Sequence, residues 1–582
     1  MLRRKENCQF TNKARIVWVF IVVALLSLGI LARVVYLGFY NHQRLLTYSK
    51  NESIRYQNTF ASRGIIYDRN GVPLAVSTPV YNVVFNPKEL LKHSDLWKYL
   101  IAVDYLHLSR QSLINLLNKH SHSQFLYVKK NLIPSQIKAL QNLNIPGVDL
   151  EVNWKTFYPL GAMTAQLVGF TDAHNAGQSG LEMAYENYLN PMYGKRKVIQ
   201  DAQRHTVTVL SGLVMAKSGK DIQLSIDSRM QFLAYLALKD GVELSDAESG
   251  SVVVLDVNTG EVLAAASYPS FNPNIVGEHN SRHTQNTALT GSFEPGSVMK
   301  PLIVAAALKS GTYTKDSIVN TSPGWYFIHG HKVKDEHNYG KLDLAHILAK
   351  SSNVGASRIA LSLKRNELYD FLNSVGLGEN PTPDFPAGSA GYLPLLQKLD
   401  RFSLATLSFG YSLTVTTLQL ARAYSAIANG GVLYPISLLR VTHQPKGVRV
   451  LSENTAADLR SMLRTVMKVG GTGMLANIVG YKVAGKTGTS YKASKGGFNK
   501  KLFNGVFVGM APLNNPKLVI AVHMNNIHKD KINFYGGIAA APVFSLIMEN
   551  SLRLLDVPFT NMHINKLMLS NQKYLKRLVA RI

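Results

Sequence analysis

An uninterrupted apolar segment near the amino terminus constrains this chain more than any other feature. Residues 16–32 read IVWVFIVVALLSLGILA, and after Arg33 the apolar character resumes through VVYLGFY to Tyr40. A helix over residues 16–40 would be about 37 Å long at 1.5 Å per residue. That length crosses the hydrocarbon core of a bilayer with some tilt. The sequence therefore predicts a membrane-spanning helix over residues 16–40.

The flanks of this segment predict its orientation. Residues 1–15 carry several Lys and Arg side chains and one acidic residue, Glu6. Because basic flanks favour retention in the cytoplasm, we expect residues 1–15 to form a cytoplasmic tail and everything after Tyr40 to lie outside. The run is long for a signal peptide and no A-x-A-like site follows it, which favours a retained anchor over a cleaved leader or a buried helix. No second apolar run of comparable length occurs, so we expect a single-pass protein.

Composition indicates a folded chain with strong positive charge. Of its 582 residues, 46% are hydrophobic and 17% charged, and the formal net charge is +27, which favours anionic partners. No zinc-finger spacing, RNP aromatic block or basic zipper appears, so nucleic acid is not a predicted partner. The single cysteine, Cys8, excludes an intrachain disulfide.

Turn signals and apolar patterning divide the rest of the chain. Residues 41–220 mix short strands and helices, with a hairpin signal at Asn70-Gly71, and predict an irregular α+β module without a catalytic constellation. Residues 221–560 run from strands through many helices to strands again. This order predicts an antiparallel sheet built from both ends of the region, with a helical cluster inserted. The tail 561–582 carries Lys and Arg without Asp or Glu and is predicted to be an exposed appendage.

The first candidate element is FEPGSVMKP, in which Lys300 follows Ser297 by three positions. Residues i and i+3 share a helix face, so the lysine amine can reach the serine hydroxyl. A serine needs a base to become a nucleophile, and burial lowers the pKa of a lysine enough for it to act as one. Pro295-Gly296 predicts that Ser297 opens a helix, where free N–H groups favour developing negative charge. The helix is predicted to end at Gly311.

Two further elements carry matching polar groups. Ser351 and Asn353 follow an apolar helical pattern, where a hydroxyl can relay a proton and an amide can bind a substrate peptide group. Residues 486–489 read KTGT and are predicted to lie on an edge strand, where a lysine and two threonines would bind a carboxylate. Gly488 has no side chain to obstruct a substrate backbone along that strand.

The order of these elements is more specific than each element alone, since S-x-x-K recurs at Ser135–Lys138. Here S-x-x-K opens a helix, S-x-N ends another 54 residues later, and K-T-G begins a strand 135 residues beyond that. This is the set found in penicillin-binding proteins and serine β-lactamases. Over nearly its whole length the chain resembles class B penicillin-binding proteins, above all their division-specific septal transpeptidases. The matching stretches are RGIIYDRNG, FYPLG, GQSGLEMAYE, SIDSRMQ, GEVLAAASYPSFNPN, SFEPGSVMKP, KSSNVG, SFGYSLTVTTLQLARAY, VAGKTGTS and YGGIAAAPVF.

The resemblance implies an α+β penicillin-binding transpeptidase fold, an antiparallel sheet with a helical cluster, on an elongated α+β pedestal of the dimerisation type. The expected domains are a cytoplasmic tail 1–15, an inner-membrane anchor 16–40, the pedestal 41–220, a periplasmic transpeptidase domain 221–560 and the basic tail 561–582. No metal or organic cofactor is implied.

The resemblance also implies a reaction through a serine acyl-enzyme. Ser297 would attack the carbonyl between the two terminal D-alanines of a peptidoglycan stem peptide, with Lys300 as proton acceptor. Ser351 would relay a proton to the leaving D-alanine, and Asn353 would bind the donor peptide. An amine of a neighbouring stem would complete the cross-link, and β-lactams would inhibit by acylating the same serine.

The remaining implied roles concern binding. Lys486, Thr487 and Thr489 would hold the terminal carboxylate, and the backbone N–H groups of Ser297 and Thr489 would stabilise the oxyanion. Residues 41–220 lack a plausible acidic pair for glycan synthesis, so the implied partners, besides stem peptides and the lipid bilayer, are a membrane-embedded glycan polymerase of the FtsW type and other division proteins.

The chain departs from the family pattern at two places outside the three elements. It has Asn286-Thr287 where an Asn-Arg pair is common, and Gly291 where many members have an acidic residue. Four rival functions remain: a β-lactamase, a β-lactam sensor, a non-catalytic scaffold and an elongation-specific transpeptidase. The pedestal and anchor argue against the first, the single membrane segment against the second and the intact triple against the third. The elongation-specific transpeptidase is the runner-up.

Other candidate sites are weaker. Four possible ligands, His329, His331, Asp335 and His337, fall within nine residues, but their spacing matches no standard zinc pattern, so we predict a polar hairpin with solvated histidines. A Ser-His-Asp hydrolase is disfavoured because no G-x-S-x-G elbow occurs. The basic segment 492–501 is predicted to be a mobile solvated loop, with a lip that meets glycan or acceptor peptide as the alternative.

Overall fold

The computed structural model describes residues 6–101, 106–200, 206–275, 277–278, 283–494, 497–528 and 535–559. The backbone forms two compact units. One contains the residues up to Ser62 and Pro191–Ser218, and the other contains Arg63–Asn190 and the residues from Gly219 onward. The predicted basic tail 561–582 lies outside the described residues.

The first unit consists of helices followed by a small sheet. The helices span Glu6–Val35 and His42–Ser53, with a π-helical turn at Tyr36–Tyr40 between them. The sheet is antiparallel, and its strands lie in the order Ile54–Thr59, Gly194–Gln200 and Thr206–Val214.

One helical stretch of the described chain, Lys13–Tyr40, is long and apolar enough to cross a membrane. It contains the predicted segment 16–40. Its apolar side chains, Phe20 and Leu28 among them, are exposed rather than packed against protein. A spanning helix must satisfy its own backbone hydrogen bonds and present apolar groups to lipid, and the exposed apolar side chains of this helix are what the second requirement calls for.

In the second unit, residues 66–157 build a small sheet with its own core. The long strand Pro73–Phe85 pairs antiparallel with Leu126–Leu132, Val148–Phe157 and the short Ile66–Tyr67, which pairs parallel with Ile222–Gln223. Helices cover this sheet at Pro87–Leu90, Ser94–Leu96, Trp97–Ile101, Arg110–Lys119 and Pro134–Leu143, and further short helices follow at Gly161–Met163, Ala165–Val168, Gly180–Ala184 and Glu186–Leu189.

The hairpin predicted at Asn70-Gly71 is confirmed. The Asp68 carboxylate accepts from the backbone N–H groups of Asn70 and Val72, and Gly71 has a left-handed φ of +83°. An Asp that bonds its own turn and a glycine that accepts positive φ are the residues such a turn requires.

A five-stranded antiparallel sheet forms the centre of residues 219–559. Its strands lie in the order Val262–Tyr268, Ser249–Asp256, Leu518–His528, Gly497–Ala511 and Ala484–Ser494. Two strands come from the start of the region and three from its end, so the predicted sheet is confirmed. The strand that carries KTGT, Ala484–Ser494, lies at an edge, also as predicted.

Helices cover both faces of this sheet. Successive residues of a strand point to opposite faces, so neighbouring residues of one strand contact different helices. Ser251 bonds Thr417 at the start of helix Thr417–Ala428. A Cβ on the neighbouring Gly250 would instead touch Leu238 of helix Ser228–Ser245. Helix Gly536–Leu554 packs beside Ser228–Ser245.

The remaining elements are inserted between the two parts of the sheet. The helices span Thr287–Thr290, Gly296–Met299, Lys300–Lys309, Leu344–Lys350, Asn353–Ser362, Arg365–Ser374, Leu396–Lys398, Arg401–Leu407, Glu453–Thr465 and Met474–Ala476. Paired short strands join Ser292–Phe293 to Val415–Thr416, Ile318–Asn320 to Lys341–Asp343, Trp325–Ile328 to His331–Lys334, and Val432–Leu433 to Val448–Arg449. Residues 300–307 are all buried, as expected for a helix in the centre of the domain.

One local prediction is wrong. The basic segment 492–501 is not a loop over its described residues, because the edge strand and its neighbour continue through it and pair as far as Ser494 opposite Gly497. Ladder hydrogen bonds extend the hairpin beyond its apolar part, and the polar composition concealed that extension.

Candidate active site

Ser297 lies in a tight turn that leads into the buried helix Lys300–Lys309. The turn, Gly296–Met299, is 3-10 rather than α-helical, so the predicted helix begins three residues late. Residues three apart are eclipsed in a 3-10 helix, which leaves the two side chains on one side. Lys300 Nζ lies 3.0 Å from Ser297 Oγ, the contact expected from the S-x-x-K spacing.

Two contacts hold the nucleophile turn. Gly296 has a left-handed φ of +62°, and a Cβ there would come within 2.7 Å of the Thr489 carbonyl oxygen. The edge strand therefore passes against this turn, backbone to backbone. From the other side, the buried Tyr424 hydroxyl donates to the Val298 carbonyl at 2.7 Å. Sequence patterns did not identify Tyr424, which lies 126 residues from its partner.

Lys300 is completely buried and bonds only neutral groups. Its Nζ donates to Asn353 Oδ1 at 2.7 Å and Ser351 Oγ at 3.1 Å, and also to the Ser351 carbonyl. Burial lowers the pKa of Lys300 well below its ordinary value, and the nearby Lys486 ammonium lowers it further, against a weaker opposing effect of Asp335 and Glu336. A neutral amine is therefore accessible next to the serine.

Ser351 connects the two lysines. It ends helix Leu344–Lys350 with a left-handed φ of +57°, a conformation that costs a non-glycine residue about 1–3 kcal/mol. Its Oγ lies 3.1 Å from Nζ of Lys300 and 3.1 Å from Nζ of Lys486. Burial lowers the pKa of Lys486 to about 7. A single hydroxyl thus bridges two amines whose pKa values are both lowered by burial.

Asp335 organises the same corner, although the sequence offered it only as a possible metal ligand. Its carboxylate accepts from Ser352 Oγ at 2.6 Å, from Asn353 N at 2.5 Å and from Val354 N at 3.0 Å. A carboxylate at a helix N-terminus is stabilised by the free N–H groups and the dipole. Asn353 Nδ2 also donates to the Lys334 carbonyl at 3.1 Å, so both ends of this amide are held.

The KTGT residues lie along the edge strand beside the serine. Thr487 Oγ1 donates to Thr472 Oγ1 at 2.7 Å, and Thr489 Oγ1 accepts from Gly536 N at 3.1 Å. A Cβ on Gly488 would come within 2.6 Å of the Pro295 carbonyl oxygen. In this structure the glycine therefore serves the close approach of strand and nucleophile turn, a reason that the sequence did not reveal.

The structure brings all the candidate site residues together. The second S-x-x-K match, Ser135–Lys138, lies elsewhere. Ser135 and Lys138 lie on the helix Pro134–Leu143 of the small sheet. His331 stacks on Phe402 with ring centroids 4.3 Å apart. In the described part of the chain no group of three or more His, Cys, Asp or Glu side chains is arranged to hold a metal.

Comparison with known proteins identifies the family. The family sequence model for the penicillin-binding protein transpeptidase domain matches residues 250–549, and the model for the penicillin-binding protein dimerisation domain matches residues 58–224. The chain therefore belongs to the penicillin-binding proteins with a transpeptidase domain, and the class B resemblance drawn from its motifs is confirmed.

Individual relatives agree along nearly the whole chain. A probable peptidoglycan D,D-transpeptidase PbpC of Pseudomonas aeruginosa is 38% identical over 548 residues, which cover 94% of this chain and 96% of that protein. The peptidoglycan D,D-transpeptidase FtsI of Escherichia coli is 35% identical over 564 residues, covering 95% and 94%. The transpeptidase domain of Burkholderia pseudomallei penicillin-binding protein 3 is 39% identical with a TM-score of 0.54, covering 58% of this chain and 98% of that one. The predicted fold class is confirmed.

Proposed function

We propose that this chain is a serine D,D-transpeptidase that cross-links peptidoglycan stem peptides, with Ser297 as the nucleophile. One observation carries the proposal: Lys300, fully buried and without a carboxylate partner in the described part of the chain, lies 3.0 Å from Ser297 Oγ. A lysine held in that way loses its proton far more readily than a solvated one.

The first half of the reaction forms an acyl-enzyme. Ser297 Oγ attacks the carbonyl between the two terminal D-alanines and transfers its proton to neutral Lys300. The N–H groups of Ser297 and Thr489 receive the oxyanion. When the C–N bond breaks, Ser351 Oγ relays a proton to the departing D-alanine amine, and the amine of Lys300 becomes neutral again.

The second half forms the cross-link. Lys486, while protonated, attracts the terminal carboxylate of the donor during the first half, together with the hydroxyls of Thr487 and Thr489, and this carboxylate departs with D-alanine. Asn353 binds the donor peptide. The amine of a neighbouring stem attacks the ester carbonyl, its proton passes to Lys300, and Lys300 returns that proton to Ser297 Oγ as the ester bond breaks. β-Lactams acylate the same serine because they present a carbonyl and a carboxylate in a similar arrangement, and the carbonyl belongs to a strained ring.

Penicillin labelling tests the nucleophile. Purified full-length protein should bind fluorescent penicillin covalently, and mass spectrometry should place the adduct on Ser297. The label should disappear in Ser297→Ala. It should persist in Ser135→Ala, which changes the serine of the second S-x-x-K match. An adduct on another residue would refute the assignment. Rapid hydrolysis of the adduct would indicate a β-lactamase, and a stable adduct without cross-linking activity on stem peptides would indicate a sensor.

We further propose that the enzyme serves septal rather than elongation synthesis, based on its resemblance to division-specific members. Depletion should produce filamentous cells. Round cells would reassign it to elongation. Glycan chains would come from an FtsW-type polymerase and other division proteins would be partners, which co-purification from membranes through the native anchor can test.

The anchor is proposed to cross the inner membrane once, with the catalytic domain in the periplasm. The only native cysteine, Cys8, is a ready probe. A membrane-impermeant maleimide applied to spheroplasts should leave Cys8 unlabelled until detergent is added. The matched probe Cys8→Ser with Gln124→Cys, at an exposed position of the second unit, should react without detergent. The opposite pattern would invert the topology.

A further inference from the structure

A short hairpin beside the candidate site presents large aromatic side chains to solvent. Its strands are Trp325–Ile328 and His331–Lys334. Trp325 is 42% exposed and Phe327 is 59% exposed, and their rings meet edge to face with centroids 5.7 Å apart. Two aromatic rings left in water forgo the stabilisation that burial would provide.

The register of the hairpin separates an inner from an outer face. On the inner face, Ile328 and Val333 are buried against Val354, and Tyr326 donates a hydrogen bond to Ser357. On the outer face Trp325 lies opposite Lys334, and Phe327 opposite Lys332. We call these four residues the outer face. Its aromatics are not needed to cover the core, because the inner face already does so.

The outer face is continuous with the reacting groups. The carbonyl of Lys334 accepts a hydrogen bond from Asn353 Nδ2 at 3.1 Å, and the next residue, Asp335, holds the Asn353 backbone. A ligand seated on the outer face would therefore lie directly beside the corner that the proposed mechanism assigns to the donor stem.

We propose that the outer face binds the glycan strand to which the donor stem peptide is attached, an inference that rests on the proposed function. Sugar rings present C–H bonds that pack on the negative face of an aromatic ring. The outer face also carries two lysines and no carboxylate, which suits a polymer whose stem peptides bear carboxylates. Lys332 Nζ already lies over Trp325, 4.5 Å from the ring centroid, so charge and ring are presented together.

The chain contains a matched control for this surface. Phe125 and Tyr127 also form an exposed edge-to-face pair, with centroids 4.9 Å apart, and Lys130 lies 4.4 Å over Tyr127. That pair belongs to the small sheet, and its hydroxyl is paired with Glu151. This pair has the same combination of exposed aromatic rings and a lysine as the outer face, but it does not share the hydrogen bond to Asn353.

The test measures co-sedimentation of full-length protein in detergent with purified sacculi, in a Ser297→Ala background so that no covalent bond contributes. Trp325→Ala with Phe327→Ala should weaken binding about tenfold, both to intact sacculi and to amidase-treated glycan that has lost its stems. Lys332→Glu, which leaves the apolar packing intact, should weaken binding to intact sacculi by a smaller factor. Phe125→Ala with Tyr127→Ala should bind as the parent does.

Fluorescent penicillin acylation of the same hairpin variants with Ser297 restored should stay within about twofold of the parent, which checks that the site is folded. Unchanged sacculus binding, or equal loss in the control pair, would overturn the proposal. So would an effect confined to intact sacculi, to anionic liposomes or to self-association, since each assigns the outer face to another ligand. If the parent protein failed to acylate at all, the proposed function would fail, while the binding measurement would still report on the hairpin.

Discussion

Two places in the second unit bury cations in opposite ways. Arg63 is 1% exposed and surrounded by carboxylates, with Glu182 at 2.7 Å and Glu186 at 2.6 Å. Lys300 and Lys486 are 0% exposed and bond hydroxyl, amide and carbonyl groups instead. Both places contain buried basic side chains, but of the three only Arg63 is directly bonded to carboxylates within the described ranges.

The pKa values follow from this difference. Burial by itself lowers the pKa of Arg63, but Glu182 and Glu186 outweigh that effect and raise it. Burial lowers the pKa of Lys486 to about 7 without any opposing carboxylate. A compensated cation is a fixed part of the fold, whereas an uncompensated one exchanges its proton in the physiological range. The second condition is the one that acid–base chemistry requires.

The largest expected effect comes from removing Lys300, the buried base that bonds no carboxylate in the described part of the chain. Lys300→Met keeps the volume and apolar stem but cannot accept the Ser297 proton, so the rate of penicillin acylation should fall about 10²–10⁴-fold. Stopped-flow labelling measures this rate. The thermal midpoint should hold, because Met keeps the volume and the apolar packing of the buried stem. A rate within threefold of the parent would contradict the role of Lys300.

The converse change removes the compensated cation. Arg63→Met leaves the buried carboxylate of Glu182 and the partly buried carboxylate of Glu186 without their Arg63 countercharge and should lower the free energy of unfolding by about 3–5 kcal/mol. Denaturant titration monitored by tryptophan fluorescence checks this. Adding Glu182→Gln should recover part of the loss. The acylation rate of the folded fraction should be unaffected. A rate loss as large as that of Lys300→Met would contradict the assignment of a structural role to Arg63 and a catalytic one to Lys300.

The pH dependence tests the lysine pair itself. Acylation needs Lys300 neutral, so its rate should rise with pH as Lys300 loses its proton. Carboxylate binding needs Lys486 charged, so the rate should decline above pH of about 7 as that proton leaves. A bell-shaped profile of penicillin acylation is therefore expected. Lys486→Arg, which stays charged, should lose the alkaline limb. An unchanged alkaline limb in that variant would exclude Lys486 as its cause.

The smallest effect concerns the Asp335 carboxylate, which bonds the Asn353 backbone beside the lysines. Asp335 bonds the start of helix Asn353–Ser362 rather than an amine, so Asp335→Asn should weaken three hydrogen bonds and reduce acylation about tenfold. Glu336→Gln is the control, because Glu336 also raises the pKa of Lys300. Equal effects of the two changes on the pH profile would show that Asp335 acts through charge and not through position.

Local patterns predicted much of this molecule. The apolar helix, the turn at Asn70-Gly71 and the two-ended sheet all follow from periodicity and turn chemistry within short windows. The three candidate elements also lie where motif order places them, the serine in a 3-10 turn instead of an α-helix. The segment 492–501 was misjudged because a polar hairpin end has the same composition as a loop.

The positioning groups could not be read from the sequence. Asp335 meets Asn353 beyond an intervening strand and helix, and Tyr424 meets Val298 from another helix 126 residues away. Nothing within a local window relates such pairs, since their proximity exists only after distant elements have packed. The exposure of Trp325 and Phe327 on one face of their hairpin likewise could not be predicted, because it depends on the strand register and on which face is buried.

By itself the sequence determined that an apolar helix precedes a folded chain, and which serine, lysines, threonines and amide were available for chemistry, because propensity, spacing and side-chain type are local properties. Tertiary structure alone decided that Lys300 and Lys486 would share one hydroxyl and that, among the described residues, neither amine would bond a carboxylate, while Arg63 would pair with two. The physical reason is that desolvation and countercharge depend on neighbours in space, and those neighbours come from segments far apart along the chain.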